Sequence, residues 1–308
     1  MDILLVLAGF AALIGGGEFL VRGAVAIASR LRISPLIIGL TLVGFGTSTP
    51  ELMTSLQAAL SGAPGIAVGN VVGSNIANIL LILGIAAVIS PIAVSKAGFM
   101  RDGGTMMVAT LLCAGLVVFG ELGRAGGAFL IAALAVYLWM TLRDSRGAPG
   151  SDDLPGLDTG MGMAALLALG GLVLTLIGAR ALVTGAVGIA ADFGVSEAVI
   201  GLTVVAVGTS LPELVTSVVA ARRGQADIAV GNILGSNIFN ILGILGVTAL
   251  VRPLQVPASI AGFDIWVMCG ATALLIAVIL RAWRLSRLQG AVFLAGYGAY
   301  LARLATTL

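Results

Sequence analysis

The chain has 308 residues, 59% of them hydrophobic and only 10% charged, with a formal net charge of +2 and a mean hydropathy of +1.15. A soluble domain carries roughly 25% charged residues, so water is not the main solvent of this sequence and an integral membrane protein is predicted. The basic residues stand singly or in pairs, without the aromatic-interleaved stripe that marks nucleic-acid binding, and Cys113 and Cys269 each lie inside an apolar run, where a thiol behaves as a small hydrophobe rather than as half of a disulfide or a metal ligand.

A spanning helix needs about 20 apolar residues, and cutting the chain at its charged and Gly/Pro-rich breaks yields about ten such stretches. The first five run approximately over 3–28, 34–60, 64–90, 104–120 and 125–141. The first follows Met1-Asp2 with no basic n-region and outruns the roughly 7–15 apolar residues of a signal peptide, so it is expected to be a retained helix. A polar linker follows, from Arg143 to Asp158, with Gly147-Ala148-Pro149-Gly150 and the acids Asp152, Asp153 and Asp158; it reads as a flexible connection too short to fold as a soluble domain. The second five stretches run approximately over 161–190, 196–221, 227–250, 264–281 and 288–306. The expected units are therefore a five-helix repeat over 1–142, a linker over 143–160 and a second repeat over 161–308.

Threading these spans places Arg30, Arg32, Lys96, Arg101, Arg143, Arg146, Arg222, Arg223, Arg281, Arg284 and Arg287 on one side, and only Arg124, Arg252 and Arg303 on the other. Lys and Arg concentrate in cytoplasmic loops. A multi-pass protein of the cell (inner) membrane is predicted, with a cytoplasmic linker and both termini extracytoplasmic.

The strongest signal is an internal repeat. GLTLVGFGTSTPELMTSLQAALSG at 39–62 returns as GLTVVAVGTSLPELVTSVVAARRG at 201–224, and IAVGNVVGSNIANILLILG at 66–84 returns as IAVGNILGSNIFNILGILG at 228–246, both at an offset of 162 residues. Five spans per unit is an odd number, so the second copy must cross the membrane in the opposite sense, the inverted-repeat plan of many secondary transporters. A solenoid would repeat every 20–50 residues and many times over.

Glu51 and Glu213 sit at the centre of the repeated motif, inside apolar spans. An ionisable side chain there costs several kcal/mol and is a functional candidate by default. A salt bridge to an intramembrane arginine such as Arg22 or Arg180 would not call for an acid at the same place in both units. Proline suits the first turn of a helix and restricts the residue before it, so Gly46-Thr47-Ser48-Thr49-Pro50-Glu51 and Gly208-Thr209-Ser210-Leu211-Pro212-Glu213 are predicted to break their spans into half-helices. Freed carbonyls are tolerated at membrane depth where they line a polar cavity. Asn70, Ser74 and Asn78, like Asn232, Ser236 and Asn240, recur every four residues and so share one helix face, while Gly69 with Gly73 and Gly231 with Gly235 allow close helix packing. Carboxylates, hydroxyls, amide oxygens and carbonyls suit calcium, which takes about 6–8 oxygen ligands, and sodium equally. With no histidine in the chain, a transition-metal site is not expected.

The motifs GTSTPELMTS and GTSLPELVTS, each followed by a GSNIxN element, resemble the paired alpha-repeats of the sodium/calcium exchanger family, and the likeness extends over essentially the whole chain. That resemblance implies an all-α polytopic membrane protein of ten transmembrane helices in two inverted five-helix repeats, with broken helices at a central ion site. It implies an antiporter that exchanges Na+ for Ca2+ by alternating access, its first and sixth helices sliding against the core. Three Na+ would move per Ca2+, one net charge worth about 2.3 kcal/mol per 100 mV. Residue by residue, Glu51 and Glu213 would be the shared central ligands. Thr47, Ser48, Ser74, Thr209, Ser210 and Ser236 would add hydroxyl or carbonyl oxygens, Asn78 and Asn240 would flank the middle, and the carbonyls of Gly44 and Ala206 would serve outer sodium positions. Some relatives, notably potassium-dependent ones, carry aspartate where this chain has Asn240, and the linker is too short for the calcium-sensing domains of animal exchangers. The alternative on the same fold is a proton/calcium exchanger, whose differently arranged acidic motif is not found here. A channel would need a continuous pore and usually subunit symmetry, and an intramembrane enzyme a nucleophile in reach of a base. No cofactor and no partner beyond the lipid bilayer and the transported ions is expected. Glu18 and Arg180, at equivalent positions in the first and sixth spans, are expected either to pair across the pseudo-two-fold axis or to reach a membrane interface by snorkelling.

Overall fold

Lipid offers the backbone no hydrogen-bond partner, so a spanning segment must satisfy its own N–H and C=O groups. The computed structural model describes residues 1–118, 120–144, 160–193 and 206–306, and these are helical apart from loops and four two-residue strands. In chain order the elements are α1 (Asp2–Leu31), α2 (Pro35–Thr47), α3 (Thr49–Leu60), α4 (Pro64–Ile89), β1 (Ile92–Ala93), α5 (Lys96–Val118), β2 (Glu121–Leu122), α6 (Arg124–Asp144), α7 (Met161–Asp192), α8 (Ala206–Thr209), α9 (Leu211–Arg222), α10 (Ala226–Val251), β3 (Leu254–Gln255), α11 (Ile260–Ala282), β4 (Arg284–Leu285) and α12 (Arg287–Ala305).

Among the described residues seven helices are long and apolar enough to cross a membrane, or eight when the bent pair α2 and α3 counts as one span. They match eight of the ten predicted stretches. The stretch at 288–306 is present as α12, which falls short of that apolarity, and the stretch at 196–221 is described only from Ala206 onward, as α8 and α9. Of the predicted linker, residues 145–159 lie outside the described residues.

The most apolar stretches of α4 and α10 are 72% and 83% buried, against 28% for α1 and α7, so the two helices carrying the GSNIxN elements form the centre. α1 and α7 pack on each other along glycines spaced every seven residues, Gly9, Gly16 and Gly23 on one and Gly171, Gly178 and Gly185 on the other. A Cβ at Gly9 would lie 2.5 Å from the Leu182 nitrogen, one at Gly16 2.5 Å from the Thr175 nitrogen, and one at Gly178 2.6 Å from the Leu13 nitrogen. Only glycine permits that approach, and the descending register makes the two helices antiparallel.

α2 lies against α10 in the same manner, with Gly44 near the Asn232 carbonyl and Gly39 near that of Ile228. The strands tie the loops together: β1 pairs antiparallel with β4, Ile92 opposite Leu285, and β2 with β3, Glu121 opposite Gln255. Among the described residues four π-turns interrupt the helices, at Gly39–Val43, Asn78–Ile82, Phe239–Leu245 and Ile260–Asp264. Neither the strands nor the π-turns are foreshadowed in the sequence reading.

The register of α1 on α7 corrects one expectation. Arg180 stands level with the region of Gly9 to Leu13, about seven residues and roughly 10 Å along the axis from Glu18 at 1.5 Å per residue. Glu18 instead pairs with Arg22, one turn on at 2.9 Å, and with Arg223 at the end of α9, while Arg180 is exposed.

Candidate cation site at the helix breaks

Pro50 has no N–H to continue the helix, and the chain turns at Ser48 (φ −81°, ψ 9°), so α2 and α3 meet at a 43° bend with Pro50 and Glu51 in the first turn of α3. Ser210 (φ −91°, ψ 6°) separates α8 from α9 in the same way and puts Pro212 and Glu213 in the first turn. Each glutamate, only 1% exposed, therefore sits where unpaired N–H groups and the positive end of a helix dipole favour a carboxylate.

The hydroxyls before each break reach across to the other glutamate. Ser48 Oγ donates to Glu213 Oε1 at 3.0 Å, with Thr47 also at that carboxyl group, and Ser210 and Thr209 hydrogen-bond the carboxyl group of Glu51. Two amides fix the backbone of each glutamate to the neighbouring helix. Asn70 Nδ2 donates to the Glu51 carbonyl (3.1 Å) and Ser55 Oγ (2.9 Å), and Asn232 Nδ2 donates to the Glu213 carbonyl (3.2 Å) and Ser217 Oγ (2.9 Å). The single Thr47 hydroxyl proton has Asn232 Oδ1 (3.2 Å) and the Gly44 carbonyl (3.3 Å) as further alternative acceptors, and that carbonyl also accepts from Ser236 Oγ (3.1 Å). Asn78 Nδ2 donates to Asn237 Oδ1 (3.0 Å), and Asn240 Nδ2 to Asn75 Oδ1 (2.9 Å).

Four buried oxygens are left without a partner: Glu51 Oε2, Glu213 Oε2, Asn78 Oδ1 and Asn240 Oδ1. The other unpaired buried atoms among the described residues are the hydroxyls of Thr141, Thr216 and Thr248. A hydroxyl can turn to seek a partner, but amide and ionised carboxylate oxygens only accept, and leaving one buried and unpaired costs about 1–3 kcal/mol, more when charged. Acceptor oxygens of this kind are the ligands that a hard cation takes.

Hydrogen bonds thus gather the predicted residues into three groups: Glu213 with Thr47, Ser48, Gly44 and Ser236; Glu51 with Thr209 and Ser210; and Asn78 and Asn240, which bond across the units to Asn237 and Asn75. Ser74 is buried on α4 one turn before Asn78, and Ala206 opens α8; no described side-chain bond joins either to these groups. Sequence reasoning passed over Asn75 and Asn237, although both stand in the duplicated GSNI element, and over the anchoring serines Ser55 and Ser217.

Paired carboxylates, hydroxyls and amides buried where two broken membrane helices meet define a secondary carrier for small hard cations. The sodium/calcium exchanger protein family model matches residues 1–143 and 163–305, and the chain belongs to that family. It is 41% identical to the putative antiporter CaxA of Alkalimonas amylolytica, over 96% of each chain. It is 35% identical to the sodium/calcium exchanger MaX1 of Methanosarcina acetivorans, over 98% of this chain and 97% of MaX1. A solved structure of the sodium-calcium exchanger NCX_Mj, soaked with 2.5 mM Na+ and 0.1 mM Ca2+, matches with a TM-score of 0.86 at 33% identity, covering 98% of this chain and 97% of that one. The family consists of antiporters that take Na+ and Ca2+ as substrates and work by alternating access, so the chain is a membrane transporter and not an enzyme.

Proposed function

We propose that this chain exchanges Na+ for Ca2+ across the cell membrane through the site between Glu51 and Glu213, three Na+ moving against each Ca2+. The observation that carries the reading is the set of four unpaired acceptor oxygens, two from each unit. Glu51 and Glu213 are the central ligands, and their two charges balance one Ca2+ or two Na+. Thr47, Ser48, Ser74, Thr209, Ser210 and Ser236 supply hydroxyl or carbonyl oxygens, Asn78 and Asn240 amide oxygens, and the carbonyls of Gly44 and Ala206 outer sodium positions. The third Na+ makes the cycle electrogenic, by about 2.3 kcal/mol per 100 mV.

The carrier is proposed to have ten spans in two inverted units, 1–142 and 161–308, with the linker 143–160 cytoplasmic and both termini extracytoplasmic. Two observations support inversion. The sequence-equivalent helices α1 and α7 pack antiparallel, and the strand pairs β1–β4 and β2–β3 exchange roles between units.

The test is Ca2+ uptake into proteoliposomes loaded with Na+ and carrying no pH gradient. Uptake should require internal Na+. It should quicken when a potassium diffusion potential makes the interior positive, because three Na+ leaving against one Ca2+ entering carries one positive charge out. Uptake indifferent to Na+ and driven by a proton gradient in sodium-free buffer would overturn the sodium assignment in favour of the proton-coupled alternative, and uptake indifferent to voltage would overturn the stoichiometry.

A further inference from the structure

We infer that Asn75 and Asn237 are positioning residues that decide which end of the Asn78 and Asn240 amides faces the cation; the inference rests on the ion site proposed above. An asparagine amide presents an oxygen on one side and an NH2 group of nearly the same size on the other. Only the oxygen can ligate a cation, and an amide turned the wrong way would aim its partial positive charge at the ion. A neutral ligand of this kind therefore needs something outside the site to fix its polarity.

For Asn240 that anchor is a backbone carbonyl, a group that only accepts. Asn75 Nδ2 donates to the Asn237 carbonyl at 3.2 Å, which leaves Asn75 Oδ1 to accept from Asn240 Nδ2 at 2.9 Å and turns Asn240 Oδ1 away, unpaired. For Asn78 the chain of donors ends on sulfur. Asn237 Nδ2 faces Met106 Sδ at 3.6 Å, a thioether that can only accept, so Asn237 Oδ1 receives Asn78 Nδ2 at 3.0 Å and Asn78 Oδ1 is the end left unpaired. All four asparagines are 1% exposed, so water is not at hand to replace a missing donor or acceptor. The control crosses between units: Asn75 of the first sets Asn240 of the second, and Asn237 of the second sets Asn78 of the first. A carbonyl accepts more strongly than a thioether, so Asn240 is the more firmly set of the two.

A carboxylate offers oxygen whichever way it turns and needs no such positioning, which supplies the test. Asn75→Leu keeps the approximate volume and removes both amide bonds. In the otherwise native protein it should raise the Ca2+ concentration for half-maximal exchange about tenfold, the loss of roughly one buried hydrogen bond. In an Asn240→Asp background the same substitution should leave that concentration unchanged or lower it, because the Asn75 oxygen then faces a carboxylate instead of a donor. Equal losses in both backgrounds would mean that Asn75 only holds the helices together, and would overturn the inference. Asn237→Leu, measured with and without Asn78→Asp, makes the same comparison at the other end and serves if the first variant does not fold. Glu51→Gln and Glu213→Gln, assayed alongside, separate the two failures. If they leave exchange intact the ion site itself is misplaced; if they abolish it while Asn75→Leu acts equally in both backgrounds, the positioning role alone falls.

Discussion

Two carboxylates in an apolar bundle are held by local features, each in the first turn of its helix and each faced by hydroxyls from the other unit. Without a cation they remain a burden, since Glu51 Oε2 and Glu213 Oε2 are buried and unpaired. A buried charge without a full set of partners costs free energy that a neutral group of the same shape does not. Glu213→Gln should therefore melt no lower than the parent protein in cation-free detergent, and should lose the upward shift that Ca2+ gives the parent, about 2.7 kcal/mol at 100 times the dissociation constant. A large fall in the cation-free melting temperature would instead make Glu213 a structural residue. The glutamates and their hydroxyls were legible because an acid duplicated inside apolar sequence has few structural uses. Asn75 and Asn237 were not, because nothing in the string GSNIxN says which amide faces the ion and which braces the one that does. The pairing of Glu18 failed for a related reason: equivalence in sequence does not give the register of α1 on α7, and the packing of α1 on α9, with Gly17 beside Val215 and Val219, brings Arg223 to Glu18 instead.

Among the helices, the breaks at Ser48 and Ser210 could be read from proline, which leaves a covalent mark in the sequence. The π-turns at Asn78–Ile82 and Phe239–Leu245 could not, since one extra residue per turn leaves no residue type behind; each re-phases the helix where Asn78 and Asn240 stand. The glycine seam between α1 and α7 is written plainly, every seven residues in both helices, but it becomes meaningful only once the two helices are known to touch. Its energetic weight can be measured with neighbouring glycines. A Cβ at Gly16 would meet the Thr175 backbone nitrogen, whereas one at Gly15 has no described atom within 4 Å. Gly16→Leu should destabilise the detergent-solubilised protein by about 1–3 kcal/mol, the usual effect of overpacking, and Gly15→Leu by far less. Equal effects would show that helix propensity, not the seam, governs this interface.

At the scale of the whole molecule, equivalent residues that touch each other must lie on the axis relating the two units. Asn75 bonds the backbone of Asn237, and Thr110 meets Thr272 at 3.5 Å, each pair 162 residues apart, so both pairs lie close to that axis. Its direction decides the topology. A two-fold axis along the membrane normal would leave equivalent helices parallel, whereas one in the membrane plane makes them antiparallel, as α1 and α7 are. The proposed inverted arrangement has the chain begin and end on one side with its linker on the other, and the clustering of Arg30, Arg32, Arg222 and Arg223 predicts a cytoplasmic linker. With Cys113 and Cys269 replaced by alanine, single cysteines introduced at Ser151 and at Thr307 should react with an impermeant thiol reagent from opposite faces of the membrane. Position 307 should label in intact cells and position 151 only after the membrane is opened. Labelling of both from the same face would rule out five spans in the second unit, and the inverted pair with it.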